Sequence, residues 1–318
     1  MWRTTGAAAP GQRIVGEPGT VRIAVDLLGG DQAPDVVVDG ALRACQADPF
    51  LHLTLVGPAD AADAVISALS PVDRQRITTA VTSSDTVRGA VRAVAEGAAD
   101  ALVSAGDTAV TVLAAARQLG RWPGVRRPPL AAVLPTLTGR LILLDVGSTV
   151  DPDGETLAVH ARLGAAYASV AHHLTAPRVG LLTIGTETGK GDRLRRAVPA
   201  LLTARPLPAG ARYAGLVEGG DVVSGTAADV VVTDGFTGNV LLKGLETAYA
   251  LTGPPTPDTE PPPRAALLLG VGGTVVVCHG AATGPDFAAG IGFAADLHRR
   301  ASVAAIADLL RYSEVSHD

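Results

Sequence analysis

Short, almost uninterrupted apolar segments alternate with alanine-rich segments along most of this sequence, and this alternation constrains the fold more than any other feature. LHLTLVG (51–57) and RVGLLTIG (178–185) are two such apolar segments. Strands without polar alternation are typical of parallel sheets that are covered by helices on both faces. The alanine-rich segments have apolar residues at helical spacing, as in Val37, Ala41 and Cys45. The pattern predicts an α/β fold with a doubly wound, mainly parallel sheet.

The composition favours a large buried core and argues against nucleic-acid binding. Apolar residues make up 47% of the 318 residues and charged residues 18%. The formal net charge is −5 and aromatic residues are 3%, whereas nucleic-acid binding needs a basic face and stacking surfaces. Cys45 and Cys278 have neither metal-site nor redox-motif spacing, so we expect reduced thiols. The histidines lack zinc-site spacing too, and we expect no metal and no cofactor.

We expect residues 1–20 to form a flexible tail and residues 21–318 to form a single α/β domain. The tail lacks the apolar run of a signal peptide, and no window of about 18 residues is apolar enough for a transmembrane helix. The prolines of TGPPTPDTEPPPR (252–264) exclude a helix there and predict an extended linker within the domain. Together these features predict a soluble, cytoplasmic protein.

Polar, glycine-rich loops follow the predicted strands, and an open parallel sheet binds ligands at that edge. Glycine lets backbone N–H groups approach a ligand, and a helix N-terminus adds donors and a positive dipole end. The set of loops therefore favours an anion site, although any one of them is more often a tight turn. The candidate residues are Gly29, Gly30, Asp31, Ser104, Gly106, Asp107, Thr108, Gly147, Ser148, Gly185, Gly189, Lys190, Gly191, Asp234, Gly235, Thr237, Gly238, Asn239 and His279.

The segment LLTIGTETGKGDRL (181–194) is similar to a phosphate-binding loop but does not fit the nucleotide type. In a GxxxxGK[ST] loop the final hydroxyl holds Mg²⁺. Here the spacing from Gly185 to Gly189 is one residue too short, and Gly191 replaces the hydroxyl residue. A GxGxxG motif is also missing after the first strand, which argues against a nicotinamide dinucleotide. Lys190 is then either a point charge for one small phosphate or an ordinary surface lysine.

Asn239 and His279 are the other candidate side chains at this edge. Asn239 follows Gly238, where we expect a helix to begin, so it is either the helix N-cap or an amide donor to a ligand. His279 ends an apolar strand and has either a structural or a catalytic role. The sequence has no GxSxG elbow and no Ser/His/Asp arrangement for nucleophilic catalysis.

In their order along the chain, these loops closely resemble those of the PlsX-type phosphate acyltransferases. The matching segments lie within residues 21–290 and read VRIAVDLLGGDQAPDVVVDGALRA, SAGDT, RRPPLAAVLPT, LLDVGSTVD, PRVGLLTIGTETGKGDRL, VEGGDVVSGTAADVVVTDGFTGNVLLK and HG. The most specific of them is ADVVVTDGFTGNVLLK. The resemblance implies a Rossmann-like fold related to those of isocitrate dehydrogenase and phosphotransacetylase.

The resemblance also implies an activity and a set of partners. The family moves a fatty acyl group from acyl carrier protein to inorganic phosphate, and the acyl phosphate feeds phospholipid synthesis. By motif match, the proposed catalytic lysine and asparagine of the family fall on Lys190 and Asn239, and we add His279 as a candidate assisting group. Acyl carrier protein, inorganic phosphate, a homodimer and at most peripheral membrane contact are the implied partners.

The chain departs from the family pattern at several loops. Gln32 stands where the family usually has histidine, and Asp107, where it has asparagine, brings a charge that opposes a nearby phosphate. Ala281 and Ala282 replace two serines, and residues 252–264 replace a helical excursion that contributes to dimer packing and membrane contact in the family. Three hypotheses therefore stay open. They are an active phosphate acyltransferase, a paralogue with another acyl donor or acceptor, and a non-catalytic protein that binds acyl carrier protein.

Overall fold

The computed structural model describes residues 19–82, 85–187, 189–204, 206–255 and 262–315. Its strands are β1 (Val21–Asp26), β2 (Leu51–Gly57), β3 (Ile77–Val81), β4 (Ala101–Ser104), β5 (Leu130–Thr136), β6 (Gly139–Leu144), β7 (Arg178–Leu182), β8 (Arg212–Val217), β9 (Val230–Val232), β10 (Ala265–Leu268) and β11 (Thr274–Cys278). Its helices are α1 (Asp35–Ala47), α2 (Ala59–Ala68), α3 (Thr86–Ala95), α4 (Thr108–Gln118), α5 (Gly154–His172), α6 (Arg193–Ala204), α7 (Gly219–Ser224), α8 (Gly235–Thr252), α9 (Gly284–Arg299) and α10 (Ser302–Val315). Residues 1–18 of the predicted tail and 256–261 of the predicted linker lie outside the described residues.

The described chain groups into two compact units. The first extends to residue 120 and includes residues 263–301, and the second comprises residues 121–262 and 302–315. The strand order is β3-β2-β1-β4-β11-β10 in the first unit and β5-β6-β9-β7-β8 in the second. The change of unit near residue 262 falls at the end of the predicted proline-rich linker. The prediction of a single domain for residues 21–318 stays a prediction.

Parallel pairing dominates in both units, which confirms the predicted α/β class. In the first unit β3, β2, β1, β4 and β11 are parallel neighbours, and in the second β6, β9, β7 and β8 are. Within the units, β10 with β11 and β5 with β6 are antiparallel pairs. Every residue of β4, β5, β9 and β11 is buried, as expected for strands covered on both faces.

Helix α5 shows how closely the helices pack on these strands. On its buried face, Leu157, Ala161 and Ala168 are all 0% exposed. Gly164 lies on the same face, and a methyl group there would come within 2.9 Å of Leu144 and 2.8 Å of Val230. The absence of a side chain at this position lets the helix approach β6 and β9 directly. Among the described helices, none is both long and apolar enough to cross a bilayer.

His160 is a fully buried histidine on α5 that makes one hydrogen bond at its ring. Its Nε2 donates to the carbonyl oxygen of Arg127 over 2.9 Å, and its Nδ1 has no partner among the described residues. Burial lowers the pKa of His160 to about 4, from an ordinary value of 6.5. The folded protein therefore resists a protonation that the unfolded chain accepts near pH 6.5.

We expect His160 to make the protein less stable in mild acid. Because its folded pKa lies below its unfolded pKa, its contribution is complete above pH 6.5 and is lost as the pH falls toward 4. Between pH 7.5 and pH 5 the loss is about 2 kcal/mol. Urea unfolding at the two pH values measures it. His160→Gln should reduce this pH dependence, whereas His52→Gln, at an exposed histidine, should keep it. Equal pH dependence in both variants would contradict the prediction.

The strand order places two loop clusters. In the first unit β1 lies between β2 and β4. After β1 the chain therefore adds β2 and β3 on one side of this strand and then β4 on its other side. The carboxyl ends of β1 and β4 form the switch point at which open α/β sheets bind ligands. In the second unit β9 lies between β6 and β7, and the three strands are parallel. The loops after β6, β9 and β7 therefore emerge at one edge.

Candidate functional site

The loop after β6 is built around Asp145, which is 0% exposed. Its carboxylate accepts hydrogen bonds from the backbone amides of Leu130 at 3.0 Å, Gly147 at 3.2 Å, Ser148 at 3.0 Å and Thr149 at 2.6 Å. Burial raises the pKa of Asp145 to about 6, while these amide donors act in the opposite direction. Gly147 and Ser148, predicted as ligand contacts, therefore donate their backbone amides to a buried carboxylate. Asp145 fixes the shape of this loop.

The loop after β9 leads directly into α8, and here the prediction for the helix start was wrong. The helix begins at Gly235, and the Asp234 side chain caps it by accepting from the Thr237 amide at 2.8 Å. Asn239 lies in the second turn and is not the N-cap. The chain offers an aspartate earlier in the loop, and an aspartate caps a helix as well as an asparagine does.

The glycines of this loop are needed for close approach between backbones. A methyl group on Gly238 would overlap the carbonyl oxygen of Asp145, and one on Gly235 would lie 2.8 Å from the carbonyl oxygen of Thr149. The Gly235 amide also donates to that Thr149 oxygen at 2.7 Å. The first turn of α8 therefore rests on the loop after β6, and Gly235 and Gly238 act as packing contacts in it.

Asn239 connects the same two loops through its side chain. Its Nδ2 donates to the carbonyl oxygen of Val146 over 2.9 Å, and the residue is half-buried. Gly147, with a φ of 140°, makes room for the amide, because a methyl group there would lie 3.0 Å from Nδ2. A side-chain amide nitrogen carries two hydrogens. One of them is donated to Val146 in the loop after β6, and the second is available for another acceptor.

The loop after β7 presents Lys190 to solvent. Its side chain is 51% exposed, and its ammonium lies 4.0 Å from the Glu187 carboxylate. An exposed ion pair at that distance contributes little to stability. Gly189 and Gly191 have φ values of 86° and 87°, a left-handed conformation that favours glycine. A methyl group on Gly185 would lie 3.2 Å from Cγ of Lys190, so this glycine lies against the lysine side chain.

Arg195, which is not among the residues predicted from the sequence, joins the lysine loop to the loop after β9. It is 9% exposed, and its guanidinium forms an ion pair with the Asp234 carboxylate and donates to Thr237 Oγ1 at 3.4 Å. The same guanidinium donates to Asp192 at 2.8 Å, on the side of the lysine loop. Lys190 and Asn239 therefore belong to two segments that one buried arginine connects.

In the first unit, the switch point is organised by Asp26, which is 1% exposed. Its carboxylate accepts from the hydroxyls of Thr86 at 2.6 Å and Ser104 at 2.8 Å. Burial raises the pKa of Asp26, and these two hydrogen bonds act in the opposite direction. Methyl groups on Gly29 and Gly106 would lie 2.6 and 2.9 Å from its Oδ2. The predicted Gly29, Ser104 and Gly106 therefore meet around a carboxylate that the sequence analysis did not select.

Three further candidates of the first unit, Gly30, Asp31 and His279, lie at the loop after β11. The Asp31 amide donates to the carbonyl oxygen of Gly280 at 2.8 Å, and Gly30 has a φ of 118° beside the same oxygen. His279 is half-buried, and its Nδ1 accepts from the Ala281 amide at 3.1 Å. The structure brings Gly30, Asp31 and the residue after His279 together.

Asp107 has a local structural role. Its exposed side chain caps α4 by accepting from the Val110 amide at 2.9 Å, and Thr108 is the first residue of that helix. An aspartate at a helix N-cap is favourable for the helix in itself. Ser104, Gly106, Asp107 and Thr108 lie in the first unit with His279, whereas Lys190 and Asn239 lie in the second.

Asp26, Asp145 and Arg195 are the residues that sequence reasoning missed. For the two acids a signal existed, since each follows an apolar strand at its carboxyl end, IAV before Asp26 and LILL before Asp145. A charged residue that directly ends a buried strand is rarely buried without partners. Arg195 carries no such signal, because it stands in a run of arginines that reads as an exposed helix face.

Comparison with known proteins places the sequence of this chain in a family. A family model described as fatty acid synthesis protein matches residues 21–253. A phosphate acyltransferase of Thermobifida fusca is 39% identical over 91% of this chain and 90% of its own length. One from Halalkalibacterium halodurans is 40% identical over 71% of this chain and 70% of its own length.

Two of the solved structures with a similar fold have low sequence identity to this chain. A branched-chain phosphotransacylase from Enterococcus faecalis superposes with a TM-score of 0.62 at 16% identity, covering 87% of this chain and 99% of its own. The EutD phosphotransacetylase from Staphylococcus aureus gives 0.59 at 17% identity, covering 91% and 95%. This likeness concerns the fold and agrees with the predicted phosphotransacetylase-like architecture. On the sequence matches, the chain belongs to the phosphate acyltransferase family of fatty acid synthesis proteins and is an acyl-transferring enzyme of that type.

Proposed function

We propose that this protein moves a fatty acyl group from the thioester of acyl carrier protein to inorganic phosphate and that the acyl phosphate serves phospholipid synthesis. The observation that carries the proposal is the meeting of the Lys190 loop and the Asn239 helix at one edge of the second unit, tied together by Arg195. Cytoplasmic location stays a prediction from the sequence pattern, and a homodimer and peripheral membrane contact stay predictions of the resemblance.

In the proposed reaction, Lys190 binds the nucleophile. Inorganic phosphate is anionic and nucleophilic, so it needs a position next to the thioester more than it needs activation. Lys190 is a half-exposed ammonium among glycines, which gives it room to meet a small anion. A phosphate oxygen attacks the carbonyl carbon, the C–S bond breaks, and the thiolate leaves with the electron pair and takes a proton from water.

Asn239 supplies the donor for the charge that develops in this reaction. One hydrogen of its Nδ2 is fixed by the Val146 carbonyl oxygen, so the direction of the second hydrogen is set before substrate binds. A preorganised donor of this kind stabilises a developing oxyanion or a bound phosphate more than a mobile one. A thiol has a pKa of about 8–9 and leaves without a strong acid, so an assisting role for His279 is a minor part of the proposal.

The wild-type protein is expected to release thiol from acyl-acyl carrier protein only when inorganic phosphate is present. Thiol release is followed with a thiol reagent, and the acyl phosphate is trapped with hydroxylamine as the hydroxamate. Acyl-coenzyme A serves as the comparison donor.

Each result of this assay separates the hypotheses. Phosphate-dependent hydroxamate from acyl-acyl carrier protein supports the proposal. Turnover with acyl-coenzyme A or another acceptor alone would replace it with a paralogue of changed specificity. Tight binding of acyl carrier protein without turnover of any donor would replace it with a non-catalytic binding protein.

A further inference from the structure

Arg195 is a buried cation at a place where a cation is unfavourable. It lies in the first turn of α6, where the helix dipole favours negative groups, and no acidic residue lies in that turn. It is also 9% exposed, so its guanidinium has lost most of its water. A buried charge is retained only when partners compensate it, and packing alone would be served better by an apolar side chain. Such local conflicts concentrate at functional sites.

The guanidinium of Arg195 contacts three separate segments. Nη1 donates to Asp192 at 2.8 Å, and Nε donates to the carbonyl oxygen of Leu182, the last residue of β7, at 3.3 Å. Nη2 pairs with Asp234 and donates to the hydroxyls of Thr233 at 3.0 Å and Thr237 at 3.4 Å. The planar fork of arginine reaches these directions at once, which the single ammonium of a lysine cannot do.

The stem of Arg195 also supports the backbone next to Lys190. A methyl group on Gly191 would lie 2.6 Å from Cβ of Arg195 and 2.9 Å from the hydroxyl of Thr183. Gly191 therefore lies directly against both side chains. Because Gly191 follows Lys190 in the chain, a displacement of Arg195 moves the backbone that carries the lysine.

The carboxylate of Asp234 makes two kinds of contact at the start of α8. It caps α8 through the Thr237 amide at 2.8 Å and pairs with Arg195. Burial raises the pKa of Asp234, but the hydrogen bonds from Thr237 and Arg195 outweigh it and hold the pKa below its ordinary value. The charged acid thus fixes the first turn of α8, and Asn239 extends from the next turn of the same helix.

We infer that Arg195 is a positioning residue that fixes the position of Lys190 relative to Asn239. It acts through the two loops and does not itself contact the reacting atoms. The inference rests on the proposed function for its catalytic consequence, while the coupling of the two loops is measurable in the protein without substrate.

The test compares Arg195→Lys with Arg196→Lys, a matched change at an exposed arginine of the same helix turn. Arg195→Lys keeps the charge but removes the fork. We expect kcat/KM for phosphate to fall by about 10²-fold, the size of effect that a displacement of about 1 Å produces, with little change in KM for the acyl donor. Arg196→Lys should behave as wild type. An Arg195→Lys enzyme with the kinetics of Arg196→Lys would overturn the inference.

A double variant distinguishes positioning from general damage. If Arg195 acts through Lys190, then adding Arg195→Lys to Lys190→Ala should cost much less than it does in the wild-type background. An equal further loss in both backgrounds would mean that Arg195 affects activity by another route, and the inference would be wrong.

Hydrogen exchange in the absence of phosphate tests the coupling independently of catalysis. In Arg195→Lys, the amides of residues 185–187 and 189–191 and those of residues 234–239 should exchange faster than in Arg196→Lys. Unchanged exchange in either segment would overturn the inference even in an active enzyme. Faster exchange in both, together with a wild-type protein that makes no acyl phosphate, would retain the coupling and reject the proposed function.

Discussion

A Lys190→Ala variant should lose phosphate-dependent acyl transfer by about 10²–10³-fold while keeping its fold. Lys190 is half-exposed, and its ion pair with Glu187 is long, so the folded state loses little with it. The loss should appear mainly as a higher KM for phosphate, since the ammonium neutralises the nucleophile as it binds. Initial rates at varied phosphate and fixed acyl-acyl carrier protein measure the effect.

The chain supplies a matched control for this change. Its sequence contains two lysines, Lys190 and Lys243, and Lys243 lies exposed on α8. Lys243→Ala should keep the wild-type phosphate dependence. With so few lysines, amine acylation can also be mapped by mass spectrometry, and phosphate should protect Lys190 but not Lys243. A Lys190→Ala enzyme as active as Lys243→Ala would remove Lys190 from the proposed mechanism.

A Gly238→Ala variant should be destabilised by about 3 kcal/mol. The added methyl group would overlap the carbonyl oxygen of Asp145, which belongs to backbone and cannot rotate away. Relief requires α8 to move from the loop after β6, and this breaks the hydrogen bond from Asn239 to Val146. Urea unfolding measures the loss of stability, and the remaining folded enzyme should also have lower activity.

Gly244→Ala, six residues further along the same helix, isolates the steric effect of the added methyl group. No atom lies within 4 Å of a methyl group placed there. Replacing an exposed glycine in a helix by alanine is expected to stabilise the protein by about 0.5–1 kcal/mol. The two variants should therefore change stability in opposite directions. Equal unfolding midpoints for both would contradict the close packing of α8 on the loop after β6.

The strands that were predicted from the sequence are those whose own residues form a continuous apolar segment. Leu51–Gly57 is a strand over its whole predicted length, and the apolar segment at 178–185 contains β7. β8 has a partly exposed face, and its segment RYAGLV gives no continuous apolar signal. The antiparallel pairs were also not predicted, because the apolar pattern of a strand does not specify the direction of its neighbour.

Local patterns in the sequence were sufficient to predict the fold class, the family resemblance and the two side chains proposed for the chemistry. Burial on both faces of a strand and helical spacing are local patterns, and the spacing around Lys190 and Asn239 is local too. The roles of the surrounding loop residues depend on contacts between segments that are distant in the sequence. Gly235 and Gly238 are packing contacts, Asp234 is the helix cap, and Asp145 holds a loop.

The role of Arg195 is the clearest case of this division. In the sequence it is one of several arginines that follow the lysine loop. In the fold it is buried beneath that loop and paired with Asp234, which lies 39 positions further along the chain. A buried ion pair depends on which segments the sheet order brings together, and for this pair β9 had to insert beside β7. That long-range pairing is not encoded in either segment alone.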